Sequence, residues 1–270
     1  MSGERRRWRR GMLIALGVLL TGYVAVAALL FAGQRALIFP APKAFPPVPA
    51  GYEQVAFQTE DGLNLAGLWR APTAGKPVVL FFHGNGDSWA GASQAVSGLA
   101  AAGYGIFLPE YRGYGGNPGA PSQQGFFKDG RAALNWLGAN GFAPGQVVLI
   151  GNSIGSGTAT QLATEHRPAA LVLVSPFSSV PDAVSERFPW LPARLLVRDP
   201  FDNAAKLGRV EAPILILHGT ADAMIPAVHA QRLVAANPAA RLRLVPGTGH
   251  ELAYLPEAQV IERVWLDNLH

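Results

Sequence analysis

The hydrophobic pattern changes character twice along the chain. From Gly11 to Gly33 it is unbroken, GMLIALGVLLTGYVAVAALLFAG, 23 residues without a charge, enough at about 1.5 Å per residue to cross a hydrocarbon core of about 30 Å. This segment (11–33) is predicted to be a transmembrane signal-anchor helix. Residues 34–51 break the pattern with five prolines in FPAPKAFPPVPAG, which predicts a semi-rigid, extended linker holding the next domain close to the bilayer surface. From residue 52 onward short apolar runs alternate with amphipathic ones. YEQVAFQT and LNLAGLWR flank Glu60-Asp61-Gly62, a hairpin signal because Asp-Gly tolerates positive φ.

After Pro77 the strand-like runs are VVLFFH, YGIFLPEY, QVVLIGN, ALVLVSP, ILILHG and RLRLVPG. Helical patterns separate them near 89–102, in FFKDGRAALNWLGAN and IGSGTATQLATEH, and near 226–236, with a last helix near 256–269. Continuous apolar strands separated by helices are what a parallel sheet buried on both faces requires. Residues 52–270 therefore read as one α/β domain: a mostly parallel sheet, an antiparallel N-terminal hairpin and helices on both faces. No repeat of solenoid length is present.

Composition and charge narrow the function classes. With 49% apolar and 15% charged residues the chain has ample material for a core. It has no cysteine, so disulfides, thiolate nucleophiles and cysteine-ligated metals are excluded. The formal charge is +4, and residues 1–10, five arginines against Glu4, carry all of it. A phosphate-binding face needs its cations on the folded domain, so nucleic acid is not an expected partner. Arginines before the apolar segment and only Arg35 soon after it favour a cytoplasmic N-terminus, with the folded domain on the outer, periplasmic or lumenal side. A cleaved signal peptide with Ala25-Val26-Ala27 as its cleavage site, or a twin-arginine signal, are the competing readings.

In parallel sheets reactive groups collect in the turns after the strands. The run QVVLI leads into Gly151-Asn152-Ser153-Ile154-Gly155 and then a helix, the setting in which G-x-S-x-G becomes a nucleophile elbow: Gly151 and Gly155 leave room for a tight turn that thrusts out Ser153. A serine hydroxyl needs a base, and the base needs an acid to hold it. His250 follows the last strand and Asp222 follows the strand before it, the chain order expected of this layout. Asp182, Glu186, Asp199 and Asp202 are rival acids. After VVLFF the small residues of His83-Gly84-Asn85-Gly86 let the backbone turn inward, so the N–H groups of Asn85 and Ile154 are the candidate oxyanion donors. His83 and His218, each before a glycine at a strand end, admit a metal reading, but nothing at helix spacing completes a site, and structural roles are expected of both.

Taken together these segments resemble the α/β-hydrolase superfamily, and within it the membrane-anchored Bem46-like serine hydrolases. The resemblance covers residues 13–270 and rests on QRALIFP, HGNG at 83–86, YRGYGGNPGAPSQQG at 111–125, GNSIGSG at 151–157, HGTADAMIP at 218–226 and GTGHE at 247–251. One departure is Ser156, where the family's elbow commonly continues with a second glycine. The resemblance implies an α/β-hydrolase fold and ester or thioester hydrolysis without a cofactor or metal, with Ser153 as nucleophile, His250 as base and Asp222 orienting it. A peptidase or amidase on the same triad, and a non-catalytic membrane-tethered binding module, are the alternative functions.

Residues 177–211 form a short cap in this reading. Within it FPWLPARLLV (188–197) either lines an acyl pocket or touches lipid, or is a helix packed on the domain. Together with the anchor it tilts the expected substrate toward small-molecule or lipid-like acyl compounds. Tyr111-Arg112-Gly113-Tyr114 is placed at the site's rim or in the packing of its loops.

Overall fold

The computed structural model describes residues 2–269; Met1, first of the basic segment 1–10, and His270, last of the α/β domain, lie outside the described residues. A single helix, α1 (Ser2–Ile38), takes in the apolar segment and continues five residues past it. It is long and apolar enough to cross a membrane, and its apolar side chains from Met12 to Leu20 are exposed.

The hairpin forms as the Asp-Gly signal indicates: β1 (Glu53–Gln58) pairs antiparallel with β2 (Asn64–Arg70), and Gly62 in the turn has φ +83°. Strand and helix then alternate through β3 (Val78–Phe82), α2 (Trp89–Ala95), α3 (Ser97–Ala101), β4 (Gly105–Pro109), α4 (Gln123–Ala139), β5 (Val147–Asn152), α5 (Gly155–Glu165) and β6 (Ala170–Val174). The cap contributes α6 (Val180–Arg187), α7 (Ala193–Leu196) and α8 (Ala204–Leu207). The chain closes with β7 (Ile214–Gly219), α9 (Val228–Ala236), β8 (Arg241–Val245) and α10 (Pro256–Asp267).

Among the described residues the eight strands form one sheet, in the order β1-β2-β4-β3-β5-β6-β7-β8, parallel from β4 to β8. The unbroken apolar runs follow from this topology, because successive side chains point to opposite faces and both faces are covered. Val78, Leu80 and Phe82 join Leu149 under α4, α5, α8 and α9; Val79 and Phe81 join Val148 and Ile150 under α2, α3 and α10.

The proline-rich stretch is extended, but it lies along the domain. Phe39 is buried against Phe126 and Phe201, with ring centroids 5.2 and 6.3 Å away. Phe45 stacks on Trp89 at 4.5 Å, and the Trp89 indole N–H donates to the Pro46 carbonyl at 3.0 Å. Proline spacing indicates stiffness, but the two phenylalanines of the stretch, Phe39 and Phe45, decide where the segment goes.

Candidate active site

The site is built at the carboxyl edge of the sheet. β5 runs into an elbow in which Ser153 has φ +51°, a left-handed conformation that costs a non-glycine residue energy and persists only where the surroundings enforce it. The glycines on either side are sterically required. A Cβ on Gly151 would lie 2.6 Å from the Gly155 carbonyl oxygen, and one on Gly155 would lie 2.6 Å from the Phe82 carbonyl carbon and nearer still to its oxygen.

The structure brings Ser153, His250 and Asp222 together. The Ser153 hydroxyl donates to His250 Nε2 at 2.9 Å, and His250 Nδ1–H donates to Asp222 Oδ2 at 2.8 Å. The other carboxylate oxygen of Asp222 accepts from the main-chain N–H groups of Met224 and Ile225, at 2.9 and 2.8 Å. Burial alone would raise the Asp222 pKa, but the hydrogen bonds from His250 and these amides hold it below the ordinary aspartate value, so the group stays ionised. His218, fully buried and kept neutral by that burial, donates from Nε2 to the Ile225 carbonyl at 2.7 Å and braces the same turn.

The rival acids are engaged elsewhere. Asp182 accepts from the Ser178 hydroxyl and Arg194, Glu186 pairs with Arg232 and faces His229, Asp199 accepts from Arg35 and the Gln123 N–H, and Asp202 accepts from the Ala205 N–H. Among the described residues Asp222 is the carboxylate that meets His250.

The loop after β3 lies against the elbow: a Cβ on Gly84 would sit 3.8 Å from Ser153 Cβ. Among the described residues, neither the Asn85 N–H nor the Ile154 N–H donates to a protein group. His83, of which a structural role was expected, holds this loop together with Glu110 and Trp89, which sequence reasoning passed over. His83 donates from Nδ1 to the Gly84 carbonyl and from Nε2 to Glu110 Oε1, each at 2.8 Å, and Glu110 Oε2 accepts from the Trp89 N–H at 3.0 Å. Burial opposes charge on His83, yet the Glu110 carboxylate beside it lifts its pKa above the ordinary histidine value, and both ring nitrogens face acceptors. Glu110 does end a strand, where chemistry was sought, but its partner could be known only from the pairing of β3 with β4.

Tyr111 and Tyr114 are buried beneath the same loop: Tyr111 donates to the His83 carbonyl at 3.1 Å, and Tyr114 to the Asn85 side-chain carbonyl at 3.0 Å. The YRGY segment therefore packs under the loop after β3 and does not form an exposed rim. Tyr254 donates to Asp87 at 2.7 Å and ties the turn carrying His250 (His250–Tyr254) to the far end of that loop. The hydroxyl of Ser156 accepts from Asn203 Nδ2 at 3.0 Å, and Asn203 also donates to the Phe177 carbonyl, so this departure from a second glycine pins the cap to the elbow helix.

Removing Glu110 strips one partner from a fully buried carboxylate–histidine pair. Glu110→Ala is expected to lower stability by about 3–5 kcal/mol, to be read from a denaturant midpoint in detergent.

A family model described as the alpha/beta hydrolase fold matches residues 77–197. An uncharacterized protein of Mycobacterium tuberculosis, Rv2307c, is 40% identical over 256 residues, covering 88% of this chain and 90% of its own length. The chain belongs to the α/β-hydrolase superfamily. The alpha/beta hydrolase domain-containing protein WAV2 of Arabidopsis thaliana is similar over 91% of this chain and 89% of its own, at 29% identity. Among solved structures, the esterase Pf2001 of Pyrococcus furiosus matches with a TM-score of 0.67 at 22% identity, covering 85% of this chain and 96% of that one. A membrane phospholipase A, described as a bacterial virulence factor, matches with a TM-score of 0.62 at 18% identity, covering 98% of this chain and 99% of that one. At these identities the likeness is one of fold.

In an α/β hydrolase the tightness of the elbow is open to direct test. Gly155→Ala pushes a methyl into the Phe82 carbonyl, where main chain cannot easily give way. A loss of about 1–3 kcal/mol is expected, the range for overpacking a tight site, again from the denaturant midpoint.

Proposed function

We propose that this α/β hydrolase is a membrane-anchored serine hydrolase that cleaves carboxylic ester or thioester bonds of lipid-like or acylated substrates. The observation that carries the reading is the unbroken hydrogen-bond line from Ser153 Oγ through His250 to Asp222, set on a strained elbow. Chemistry follows from that line. His250 removes the Ser153 proton as Oγ attacks the acyl carbonyl carbon, and Asp222 stabilises the imidazolium that forms. The tetrahedral oxyanion is received by the N–H groups of Asn85 and Ile154, two main-chain donors free to take it. His250 then protonates the departing alcohol or thiol, and water, deprotonated by the same imidazole, releases the acid.

Support for a membrane setting comes from the length of the apolar run in α1 and from the arginines that precede it. They favour a cytoplasmic N-terminus with the hydrolase domain on the outer side. The direct test is hydrolysis of p-nitrophenyl esters from acetyl to palmitoyl by the full chain in detergent micelles, comparing kcat/KM along the series. Rising kcat/KM with chain length is the expected result. A preference for acetyl would overturn the lipid-like substrate, and no turnover of any ester by folded protein would overturn the hydrolase reading.

A further inference from the structure

The carboxyl half of α1 docks on the cap, and the two enclose an apolar slot of about 580 Å³. Leu30, Phe31 and Ile38 form one wall; Val184 of α6, with Leu191 and Leu196 at α7, forms the other. The polar group at this wall is already satisfied: Gln34 Nε2 donates to the Leu196 carbonyl at 3.0 Å, and its Oε1 accepts from the Arg198 N–H at 2.8 Å. Below this the Tyr23 hydroxyl reaches the Trp190 carbonyl at 3.0 Å. Above it Arg35 pairs with Asp199 at 2.9 Å.

These contacts fix the depth of the slot once α1 is taken to span a bilayer, as the proposed function has it. The segment from Gly11 to Gly33 extends over about 35 Å as a helix. Tyr23, Val26, Leu30 and Phe31 then lie at hydrocarbon depth, while Gln34 and Arg35, just past the 23-residue uncharged run, reach the headgroups. The cap residues touching α1 from Tyr23 upward are carried into the same leaflet, which accounts for the exposure of Phe188, Trp190 and Leu195. Arg198 is exposed, its guanidinium 3.9 Å from the Phe31 ring centroid at the headgroup end, and among the described residues no carboxylate pairs with it. The part of the slot at Val26, Leu30 and Phe31 lies at acyl-chain depth and the part from Gln34 to Ile38 at headgroup depth, so an apolar channel with a cation at its upper end has the shape and polarity of one phospholipid.

We infer that the slot between α1 and the cap binds one acyl chain of an anionic phospholipid from the surrounding leaflet, with its phosphate at Arg198. The site lies outside the triad and rests on the membrane reading. α6, one of its walls, starts six residues beyond β6, whose Val174 carbonyl accepts from the Ser153 N–H. A lipid held there lies alongside the element that joins the nucleophile's neighbouring strand to the cap.

The test uses the full chain in phosphatidylcholine vesicles carrying phosphatidylglycerol with a diazirine on one acyl chain, irradiated and mapped by peptide mass spectrometry. Adducts are expected on residues 184–197 as well as on 12–22. Val184→Trp and Leu30→Trp, each filling the slot, should cut the cap adducts severalfold and leave those on 12–22 unchanged, with far-UV circular dichroism confirming the fold. Arg198→Gln should lower the cap adducts about fivefold, the worth of one arginine near an anionic surface. Adducts on 12–22 with none on the cap, or cap adducts that folded slot-filling variants leave intact, would overturn the slot and leave the anchor standing. Adducts on neither segment would overturn both.

Discussion

Ser153→Ala should lower kcat for a p-nitrophenyl ester by at least about 10³-fold, and by as much as about 10⁶-fold if the hydroxyl is as central as in other serine hydrolases. In the proposed mechanism the substitution removes the one atom that attacks. No neighbouring hydroxyl is placed to replace it: Ser156 Oγ accepts from Asn203 in the cap contact, and Ser175, at the end of β6, is fully buried. His250 and Asp222 would keep their own hydrogen bond at 2.8 Å, and the Asn85 and Ile154 amides would still be free. What remains is water attacking a polarised carbonyl, which accounts for the residual rate. The fold should be indifferent, because alanine has the same backbone restriction as serine at φ +51° and loses one half-buried hydrogen bond. Loss should therefore fall on kcat, with KM and the denaturant midpoint near those of the parent chain. Activity retained within tenfold would remove Ser153 from the chemistry.

How far the site could be read from sequence depends on how local its causes are. Ser153, Asp222 and His250 each follow an apolar run, and the ends of parallel strands share one edge. Because β5, β6, β7 and β8 are neighbours in the sheet in the same order as in the chain, chain order became spatial order there. The glycines at 151 and 155 were legible for a related reason, since their crowding comes from a turn of fixed geometry. The supports were not legible. Gln34 and Arg35 read as the start of the linker, yet their partners Leu196 and Asp199 lie 162 and 164 residues away. Glu110 read as the end of a strand, and nothing short of the β3–β4 pairing places it on His83. The apolar run 188–197 was ambiguous because it holds side chains of both kinds: Ala193 is buried, while Trp190 and Leu195 face outward. Hydrophobic period reports that a face will be covered; what covers it is a long-range choice.

The second large effect is expected from Asp222→Asn, a change of one atom that leaves the turn intact. Asparagine keeps a carbonyl oxygen for the Met224 and Ile225 amides, which now donate to Oδ1 at 2.9 and 2.8 Å. That preference orients the new amide, so its NH2 group occupies the place of Oδ2 and faces His250 Nδ1. Two donors cannot share a hydrogen bond, so Nδ1 gives up its proton and becomes the acceptor. The remaining ring proton moves to Nε2, where it points at Ser153, and the nitrogen that should take the serine proton no longer has a lone pair to do so. The imidazolium of the transition state also loses the negative charge beside it. Together these should reduce kcat by about 10⁴-fold, the size of the same substitution in a serine protease triad. The loss should be smaller at high pH, where hydroxide can attack without a base. Asp222→Ala separates geometry from charge: it leaves the two amides without their acceptor, so a lowered denaturant midpoint is expected there and not for the asparagine variant. If Asp222→Asn retained more than a tenth of the parent kcat, the acid would have to be sought among the cap carboxylates, with Asp182 and Glu186 the first to substitute.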